Sequence, residues 1–365
     1  MDGGGGTQPE PKPNRVKIGL SLSSSGDLPD SGLPAATNRI RMKPISNSSQ
    51  WKRLLCAAFL SAGLVAGTAS DGLEEGSEEP LPPATTAFKP GDLVFTDSGA
   101  ALRKYDKATS ETSTVSSGGM LIEPFAIAIA PDGTFYVTDP GCFSVIAVNP
   151  RTGVSRMLPR GKGLGVPYGI TVTRQNEIYV ANGQSVVKVD PVTGATTKAS
   201  RGRLIRYPLG VASAPNGDLY VADAAGLVAR IDHDTGFEKG ITRGHALVTP
   251  VGITMAGADA LYVSDFNTTR IVRVNPQTGA QTVVASGGYL TTPLGLALRG
   301  SNELLVADPD AFDFAGGIIR VDLSRGTQTP VTSGNGRFVN ARGVAVVPVW
   351  LSRASFNKLP TRVEP

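Results

Sequence analysis

Six acidic or amide side chains recur along this sequence, each directly after a short apolar run. The runs have the forms LVFTD, FYVTD, IYVAN, LYVAD, LYVSD and LLVAD, and they end at Asp97, Asp139, Asn182, Asp223, Asp265 and Asp308. A ring of such carboxylates could bind a cation. Alternatively, each side chain could accept backbone N–H bonds where one strand turns into the next. We favour the turn role, because every copy repeats it and the amide of Asn182 keeps the hydrogen bonds without the charge.

Other residues that could do chemistry are sparse. The two histidines are His233 and His245, whereas a histidine-based zinc site needs at least three converging ligands. The sequence contains no G-x-S-x-G, phosphate-loop or C-x-x-C pattern. Residues 309–317 carry Asp310 and Asp313 with two phenylalanines, but not in the spacing of an EF-hand loop. We therefore expect no metal and no cofactor, and we expect an exposed loop at 309–317 with partner contact as its alternative role.

The acidic motif belongs to a repeat that runs through most of the chain. Six segments start with a pattern close to P-x-G-apolar-small, at Pro124, Pro167, Pro208, Pro250, Pro293 and Ala341, with intervals of 43, 41, 42, 43 and 48 residues. Alternating Val, Ile, Tyr and Thr predict pleated strands, and turns such as NPQTG close them. Each copy is therefore predicted to be a four-stranded antiparallel blade of a propeller.

The order of the motifs predicts how the ring closes. Residues 92–117 supply the second, third and fourth strands of one blade, and residues 341–348 supply its first strand. Pairing N-terminal strands with the C-terminal strand in one blade removes an open sheet edge. The predicted fold is an all-β, six-bladed β-propeller over residues 91–348.

The pattern G-[IV]-x-[VA] … [LI]-Y-V-A-D … apolar-x-V-[ND]-P resembles the NHL-repeat propellers. It is also similar to the wider TolB-like six-bladed group, which includes the SMP-30/gluconolactonase and strictosidine-synthase-like families. The resemblance covers residues 91 to about 348 and implies the fold. It leaves the function open, because the group spans enzymes, receptors, scaffolds and RNA-binding domains.

The resemblance also implies where a lactonase metal would sit. Those enzymes hold a divalent cation with a Glu, an Asn and an Asp, the latter two at the residue before the first-strand glycine. Here these positions hold Phe125, Tyr168, Leu209, Val251, Leu294 and Arg342. None is an oxygen ligand for a hard cation, and Glu123 alone has no partners. We expect the first five to ring the channel mouth, as core or as an apolar ligand pocket.

Basic residues concentrate in the predicted loops between blades, on the face that also carries the loops between second and third strands. They are Arg160, Lys162, Arg201, Arg203, Arg206, Arg243, Arg270, Arg337 and Arg342. They could bind a protein, a glycan or an anionic small molecule, or they could form a solvated face. Nucleic acid is not expected, since no interleaved aromatic residues mark a stacking platform.

The N-terminal region predicts export. Residues 1–41 are rich in Gly, Pro and Ser and read as disordered or as a mis-called extension before Met42. Residues 42–69 have the layout of a signal peptide, with cleavage after Ala69; an uncleaved membrane anchor is the alternative. An acidic, Pro-rich linker (70–90) and a C-terminal tail (349–365) flank the propeller.

Charge and cysteine content fit that reading. Eight of the 35 Lys+Arg and four of the 31 Asp+Glu precede residue 70, so the net charge of +4 belongs to the leader and the body is neutral. Cys142 would be the sole cysteine of the mature chain. We expect a monomeric, periplasmic or extracellular binding or scaffold module without catalysis; the alternative is a lactonase-like hydrolase or propeller lyase with a non-standard site.

Overall fold

The computed structural model describes residues 87–159, 163–333 and 340–351, and short antiparallel strands account for most of them. In chain order the strands are β1 (Leu93–Asp97), β2 (Ala101–Tyr105), β3 (Thr112–Ser117), β4 (Ala126–Ile129), β5 (Phe135–Asp139), β6 (Ser144–Val148), β7 (Ser155–Met157), β8 (Pro167–Val172), β9 (Ile178–Asn182), β10 (Ser185–Val189), β11 (Thr196–Lys198), β12 (Pro208–Ser213), β13 (Leu219–Asp223), β14 (Leu227–Ile231), β15 (Glu238–Arg243), β16 (Pro250–Ala256), β17 (Ala260–Asp265), β18 (Arg270–Val274), β19 (Gln281–Ser286), β20 (Leu296–Arg299), β21 (Glu303–Asp308), β22 (Gly317–Asp322), β23 (Gln328–Ser333) and β24 (Ala341–Val346). One helical turn, α1 (Ala311–Phe314), lies between β21 and β22.

The strands form six four-stranded sheets, which are the blades of a β-propeller. Blade 1 has the order β24-β1-β2-β3, and blades 2 to 6 are β4–β7, β8–β11, β12–β15, β16–β19 and β20–β23. In blade 1 the register pairs Leu93 with Val346 and Val94 with Ala345. The predicted fold class and ring closure are therefore confirmed.

The hydrophobic core lies between neighbouring blades. Between blades 3 and 4, for example, Tyr179 and Val186 pack with Val211 and Leu219. Each blade buries both faces in this way, which explains why the second strands are apolar along their whole length rather than alternating.

Glycine lets the first strands converge around the axis. A Cβ at Gly169 would lie 2.6 Å from the carbonyl oxygen of Leu209, and one at Gly343 would lie 2.6 Å from that of Phe125. Gly210, Gly252 and Gly295 meet the next blade in the same way. In these five blades the glycine of the first strand is thus a requirement of close backbone approach, whereas blade 2 has Ala126 at this position.

In three blades a hydroxyl next to the acidic residue joins one blade to the next. The Ser264 hydroxyl accepts the N–H of Gly252 at 2.8 Å and donates to the carbonyl of Leu294 at 2.6 Å. Thr96 bridges Gly343 N–H and the Phe125 carbonyl in the same way, and Thr138 contacts the Tyr168 carbonyl. These bonds fix the inner ring that carries the channel mouth.

The propeller has two faces, which we name by their connections. The loop face carries the inter-blade loops and the loops between second and third strands; Asp139, at the end of β5, bonds the inter-blade N–H groups of Ile122 and Glu123. The turn face carries the turns between first and second strands and those between third and fourth strands. Two such turns contact each other in blade 6, where Leu323 N–H donates to the Asn302 carbonyl at 2.8 Å.

A cross-strand ion pair near the turn face recurs in four blades. It joins the start of the second strand to the end of the third. The pairs are Asp92–Lys104 (3.0 Å), Glu177–Lys188 (2.5 Å), Asp218–Arg230 (2.7 Å) and Glu303–Arg320 (3.4 Å).

Candidate functional site

The six acidic or amide residues lie at the ends of second strands and bond backbone groups. Asp265 accepts the N–H groups of Val248 and Thr249 at 2.6 and 2.7 Å, and that of Thr268 at 2.9 Å. Asp139 and Asp223 accept N–H groups from the inter-blade loop and from their own turn in the same pattern. The carboxylates are buried, and their oxygens accept hydrogen bonds from backbone N–H groups. This is the geometry expected of side chains that stabilise a turn.

Asn182 and Asp97 vary this arrangement. Asn182 accepts the Gly165 N–H at 2.6 Å through Oδ1 and donates to the Gly163 carbonyl at 2.8 Å through Nδ2. Asp97 accepts the Gly99 N–H and pairs with Arg103 Nε at 2.5 Å. The amide therefore replaces one accepted N–H bond with a donated one.

Asp308 has an additional acidic neighbour. It accepts the N–H groups of Thr291, Thr292 and Asp310. The Thr292 hydroxyl lies 3.2 Å from Asp308 Oδ1 and 2.9 Å from Asp310 Oδ2, and both carboxylates are buried. Burial raises the pKa of Asp308 to about 6, although the backbone N–H groups of Thr291 and Thr292 act to lower it.

The loop that follows Asp308 is only partly exposed. Asp310 and Ala311 are buried, whereas Phe314 is 64% exposed. Phe312, Asp313 and Phe314 have φ values of 55°, 57° and 68°, a left-handed turn that L-residues adopt at a cost. The Phe312 ring contacts that of Tyr289 with centroids 5.2 Å apart. The expectation of a plain exposed loop at 309–317 thus holds for its tip, while its base packs into the fold.

The channel mouth is built from the residues that precede the first-strand glycines. Phe125, Leu209, Val251 and Leu294 form one buried cluster with Phe266, and Tyr168 packs against it. The rings of Phe125 and Tyr168 meet edge to face with centroids 5.4 Å apart. The channel behind this mouth has a volume of about 70 Å³, well below the roughly 300 Å³ at which small-molecule pockets begin.

Arg342 differs from the other predicted basic residues, because it lies in this mouth and not on the exposed loops. It is 4% exposed, and its Nη1 donates to Glu123 Oε1 at 3.1 Å. Burial lowers the pKa of Arg342, while the charge of Glu123 opposes that shift. Burial, followed by the charge of Glu123, raises the pKa of the Tyr168 phenol. Arg342 is thus committed to an internal ion pair.

A cation bound as the resemblance to lactonases implies would need oxygen ligands at the residues before the first-strand glycines. In this chain those residues carry hydrocarbon, phenol or guanidinium groups. Such side chains do not suit a hard cation. Across the part of the chain that the structure describes, no group of three His, Cys, Asp or Glu side chains is placed to hold a metal ion. His245 lies exposed on the loop face and His233 lies on the turn face, so the two histidines do not converge.

Four predicted basic residues are exposed in inter-blade loops: Arg201, Arg203, Arg206 and Arg243. Arg201 lies beside the turn between β14 and β15, where its N–H donates to the Gly236 carbonyl at 2.9 Å. Arg243 Nη1 donates to the Ala225 carbonyl at 3.0 Å. Within residues 87–159, 163–333 and 340–351, none of the four forms an ion pair. Arg270 is half-buried at the start of β18. Arg160, Lys162 and Arg337 lie outside the described residues.

Superposing the repeats reveals a basic pattern that the sequence analysis missed. Three successive inter-blade loops carry Arg-Gly-basic triplets, at Arg160-Gly161-Lys162, Arg201-Gly202-Arg203 and Arg243-Gly244-His245. The equivalent triplets elsewhere are Ser117-Gly118-Gly119, Ser286-Gly287-Gly288 and Ser333-Gly334-Asn335. Five of the triplets start seven residues after a third-to-fourth turn glycine, and Ser110 takes the place of that glycine before the sixth, so counting from the turn would have aligned them. Among the described residues, the exposed arginines of these triplets are Arg201, Arg203 and Arg243, in two successive inter-blade loops.

Exposed apolar side chains on the loop face were also missed. Ile122 is 55% and Phe143 52% exposed, and Met120 lies two residues before Ile122. Ile122 lies against Gly141, which precedes Phe143 by two residues. These side chains sit at the joint of blades 1 and 2, where the triplet is Ser-Gly-Gly. No motif marks them, since the residues at the position of Ile122 in other copies include Gly165, Arg206 and Val248.

Comparisons with known proteins identify the fold. No protein-family model matches the chain, and no curated protein matches it by sequence. A chain in a crystal structure of a nidogen/laminin complex is 19% identical, with a TM-score of 0.60, over 71% of this chain and 98% of that one. Selenomethionine-substituted virginiamycin B lyase from Staphylococcus aureus is 16% identical, with a TM-score of 0.53, over 68% and 83%. At such identities the likeness shows a six-bladed propeller and nothing finer.

In the described residues, no helix is both long enough and apolar enough to cross a bilayer. The predicted signal peptide at 42–69 lies outside those residues, as do the extension at 1–41 and most of the linker.

Proposed function

We propose that this chain is a non-catalytic binding module that takes an acidic protein partner on its loop face. The observation that carries the proposal is the set of exposed arginines without ion pairs, Arg201, Arg203, Arg206 and Arg243, in two successive inter-blade loops. The body of the protein is neutral overall, so these arginines are a local concentration of positive charge that steers anionic surfaces.

Exposed apolar residues on the same face favour a protein partner over a glycan. Ile122, Phe143 and Phe314 are more than half exposed, and interface cores are enriched in aromatic residues, Met and Arg. Propellers serve such contacts, as the nidogen/laminin complex illustrates for another protein. The NHL-like repeat pattern is consistent with a scaffold of this kind.

The enzyme alternative finds less support. A likeness to virginiamycin B lyase concerns the fold, and sites vary independently of folds. The mouth side chains of this chain pack as a hydrophobic cluster around a narrow channel. Its one charged pair, Arg342–Glu123, is satisfied internally.

Export remains part of the proposal and has its own test. If residues 42–69 are a cleaved signal peptide, N-terminal sequencing of protein recovered from the periplasm or medium should begin at Ser70. Recovery of an uncleaved chain in the membrane fraction would favour the anchored alternative instead.

The loop-face proposal is tested with a charge-matched pair of triple variants. Immobilised poly-glutamate serves as the acidic probe, and the salt concentration needed for elution is measured. Arg201, Arg203 and Arg206 are replaced by Ala in one variant, and the exposed turn-face residues Arg151, Arg174 and Arg325 in the other. The first should elute at clearly lower salt and the second should elute like the wild type. Equal shifts in both would mean that retention reports net charge alone and would overturn the proposal.

The glycan alternative is tested on the same column format. Replacing poly-glutamate by chondroitin sulfate separates the two classes of partner. Retention on the glycan that is much stronger and depends on the same arginines would replace the protein partner with an anionic polysaccharide. Substituting Ile122 and Phe143 by Ser should weaken binding to a true protein partner without changing retention on either matrix.

A further inference from the structure

A cationic cleft lies on the turn face at the joint of blades 6 and 1, away from the basic loops. Its volume is about 270 Å³, and it is lined by Tyr105, Lys107, Arg299, Arg320, Thr329, Pro330 and Val331. Three of these seven side chains are cationic and none is acidic. The cleft lies where two blades meet and has room for a small anion, although not for a larger organic ligand.

The two arginines are held in place by one carboxylate. Arg299 Nε donates to Glu303 Oε2 at 2.8 Å, and Arg320 Nη1 donates to Glu303 Oε1 at 3.4 Å. Arg320 Nε also donates to the Thr329 hydroxyl at 2.8 Å. Because a guanidinium has five N–H donors, both arginines keep further donors for a ligand after these bonds are made.

Lys107 reaches the cleft from blade 1 and adds a third charge. Within the described residues it forms no ion pair. Burial acts to raise the pKa of Glu303, but the hydrogen bond from Arg299 and the charges of Arg299, Arg320 and Lys107 outweigh it, so the pKa is lowered. The neighbouring carboxylate of Asp106 is occupied by Lys89, Lys104 and its own turn. Three cations thus share one available carboxylate.

The repeat shows that Arg299 is an addition to the frame and not part of it. Arg299 pairs with Glu303 at the end of the first strand. The five equivalent residues are Val347, Ala130, Thr173, Ala214 and Ala256. A long charged side chain is unnecessary for building a blade at this position, since five blades do without one. Its side chain is nevertheless only 13% exposed.

From this geometry we infer that the cleft binds a small tetrahedral oxyanion, either free phosphate or the phosphoryl group of a monoester. Arginine forks match phosphate oxygens in a bidentate manner, and such charge-assisted bonds are stronger than neutral ones. Lys107 supplies a point charge from the opposite wall. The Tyr105 ring and Val331 provide an apolar side for the organic part of an ester. The site is independent of the loop face, so either proposal can fail without the other.

The test is a titration of the full chain with inorganic phosphate at ionic strength held constant with sodium chloride. Calorimetry and the shift in melting temperature are the readouts, because a ligand that binds the folded state stabilises it. We expect saturable binding that Arg299→Ala weakens at least tenfold. Arg273→Ala is the matched control, since Arg273 occupies the position of Arg320 in blade 5 beside Ala256 and Ala260, and it should change the affinity less than twofold.

Two further variants keep the test decisive. Lys107→Ala removes an exposed side chain and should weaken binding several-fold even if Arg299→Ala perturbs folding. The Arg201/Arg203/Arg206 triple variant should leave phosphate affinity unchanged. Glycerol 2-phosphate distinguishes the two sources: at least tenfold tighter binding than phosphate assigns a monoester, and equal binding assigns the free anion. Equal affinities in wild type, Arg299→Ala and Lys107→Ala, or an equal shift from chloride alone, would overturn the inference.

Discussion

The joint between blades 3 and 4 and the joint between blades 6 and 1 use the same positions of the repeat. Each brings together a second-strand acid, a third-strand cation and a turn residue of the next blade. They are Glu177, Lys188 and His233 in the first joint, and Glu303, Arg320 and Lys107 in the second. The backbone frame is shared, so the differences between the joints lie in side chains.

The difference at one position changes what the joint can do. Thr173 in blade 3 uses its hydroxyl to accept the Glu177 N–H at 3.2 Å, whereas Arg299 in blade 6 brings a second guanidinium to Glu303. Glu177 also accepts a hydrogen bond from the Tyr179 hydroxyl at 3.2 Å. The charged side chains of the first joint are therefore paired with one another. The second joint has excess positive charge and a cleft. The repeat supplies the frame, and a site arises where one blade departs from it.

The largest effect is expected at the third-strand lysine, which is buried in blade 1 and exposed in blade 3. Lys104 is 1% exposed, pairs with Asp92 and donates to the Ala87 carbonyl, whereas Lys188 is 45% exposed. Breaking a buried pair leaves an uncompensated charge and costs about 3–5 kcal/mol. An exposed pair contributes at most about 1 kcal/mol. Lys104→Met should therefore lower the free energy of unfolding far more than Lys188→Met.

Denaturant unfolding of both variants measures the two values under one set of conditions. Lys104→Met should also loosen the segment before β1, since Lys104 holds Ala87 and lies over the Phe88 ring. Faster amide exchange at residues 87–92 would report this. Equal destabilisation by the two substitutions would show that burial does not separate the two blades energetically.

The second comparison is between Asp308 in blade 6 and its amide counterpart Asn182 in blade 3. Burial raises the pKa of Asp308 to about 6 from an ordinary value of 3.8. The folded state then binds the proton more tightly than the unfolded state, so stability is highest below pH 4 and falls as pH rises to 6. The loss is up to about 3 kcal/mol, at roughly 1.4 kcal/mol per pKa unit. Burial accounts for the proton preference, since the hydrogen bonds from Thr291, Thr292 and Asp310 act to lower the pKa of Asp308.

The measurement is the difference in unfolding free energy between wild type and Asp308→Asn from pH 4 to pH 8. That difference should move in favour of the variant as pH rises through 6, whatever constant offset the changed hydrogen bonds introduce. Asn182→Asp is the reciprocal substitution. It places a carboxylate against the Gly163 carbonyl and should create a pH-dependent loss in blade 3. If the difference in unfolding free energy between wild type and Asp308→Asn stayed constant from pH 4 to pH 8, the raised pKa of Asp308 would be contradicted.

The sequence alone predicts the strands and their arrangement in a propeller, but it does not predict the side-chain contacts where two blades meet. Motifs such as LYVSD and NPQTG repeat in register, so strand order, blade number and ring closure followed from local patterns. The bonds that Asp265 makes were likewise open to prediction from its place before a turn. The cleft was not, because Arg299 and Lys107 lie in different blades and meet only when the ring closes. Arg342 was misplaced for a similar reason, since its partner Glu123 is far away in sequence.

Both joints have a glutamate at the same position of the repeat, Glu303 in blade 6 and Glu177 in blade 3. Glu303→Gln removes the charge that competes for Arg299 and Arg320, and should raise phosphate affinity about tenfold, or about 1.4 kcal/mol. Glu177→Gln should have no effect on phosphate affinity, because its joint has no counterpart of Arg299. Both variants lose a partly exposed ion pair and should be destabilised by at most about 1 kcal/mol. If phosphate affinity rose in both variants, or in neither, phosphate binding at the cleft between blades 6 and 1 would be contradicted.

The smallest effect is expected from His233, which occupies the position of Lys107. The hydrogen bond with Asp234 raises the pKa of His233, burial opposes that shift, and Glu177, 3.5 Å from Nε2, raises it further. The charged form therefore stabilises the fold below pH 6.5, and this contribution is lost as pH rises through the folded-state pKa. Because the side chain is 37% exposed, the gain should be a few tenths of a kcal/mol.

The chain has two histidines, so an NMR titration of wild type and His245→Asn assigns the His233 signal directly. Glu177→Gln should lower the pKa of His233, since it removes one of the two carboxylates that raise it. Lys107→His would transfer this titration to the joint of blades 6 and 1. Phosphate itself loses a proton near neutral pH, so the wild-type profile serves as the reference. Relative to that profile, phosphate binding in the variant should weaken as the imidazole loses its proton. Identical pH profiles in the two proteins would mean that Lys107 does not face the bound anion.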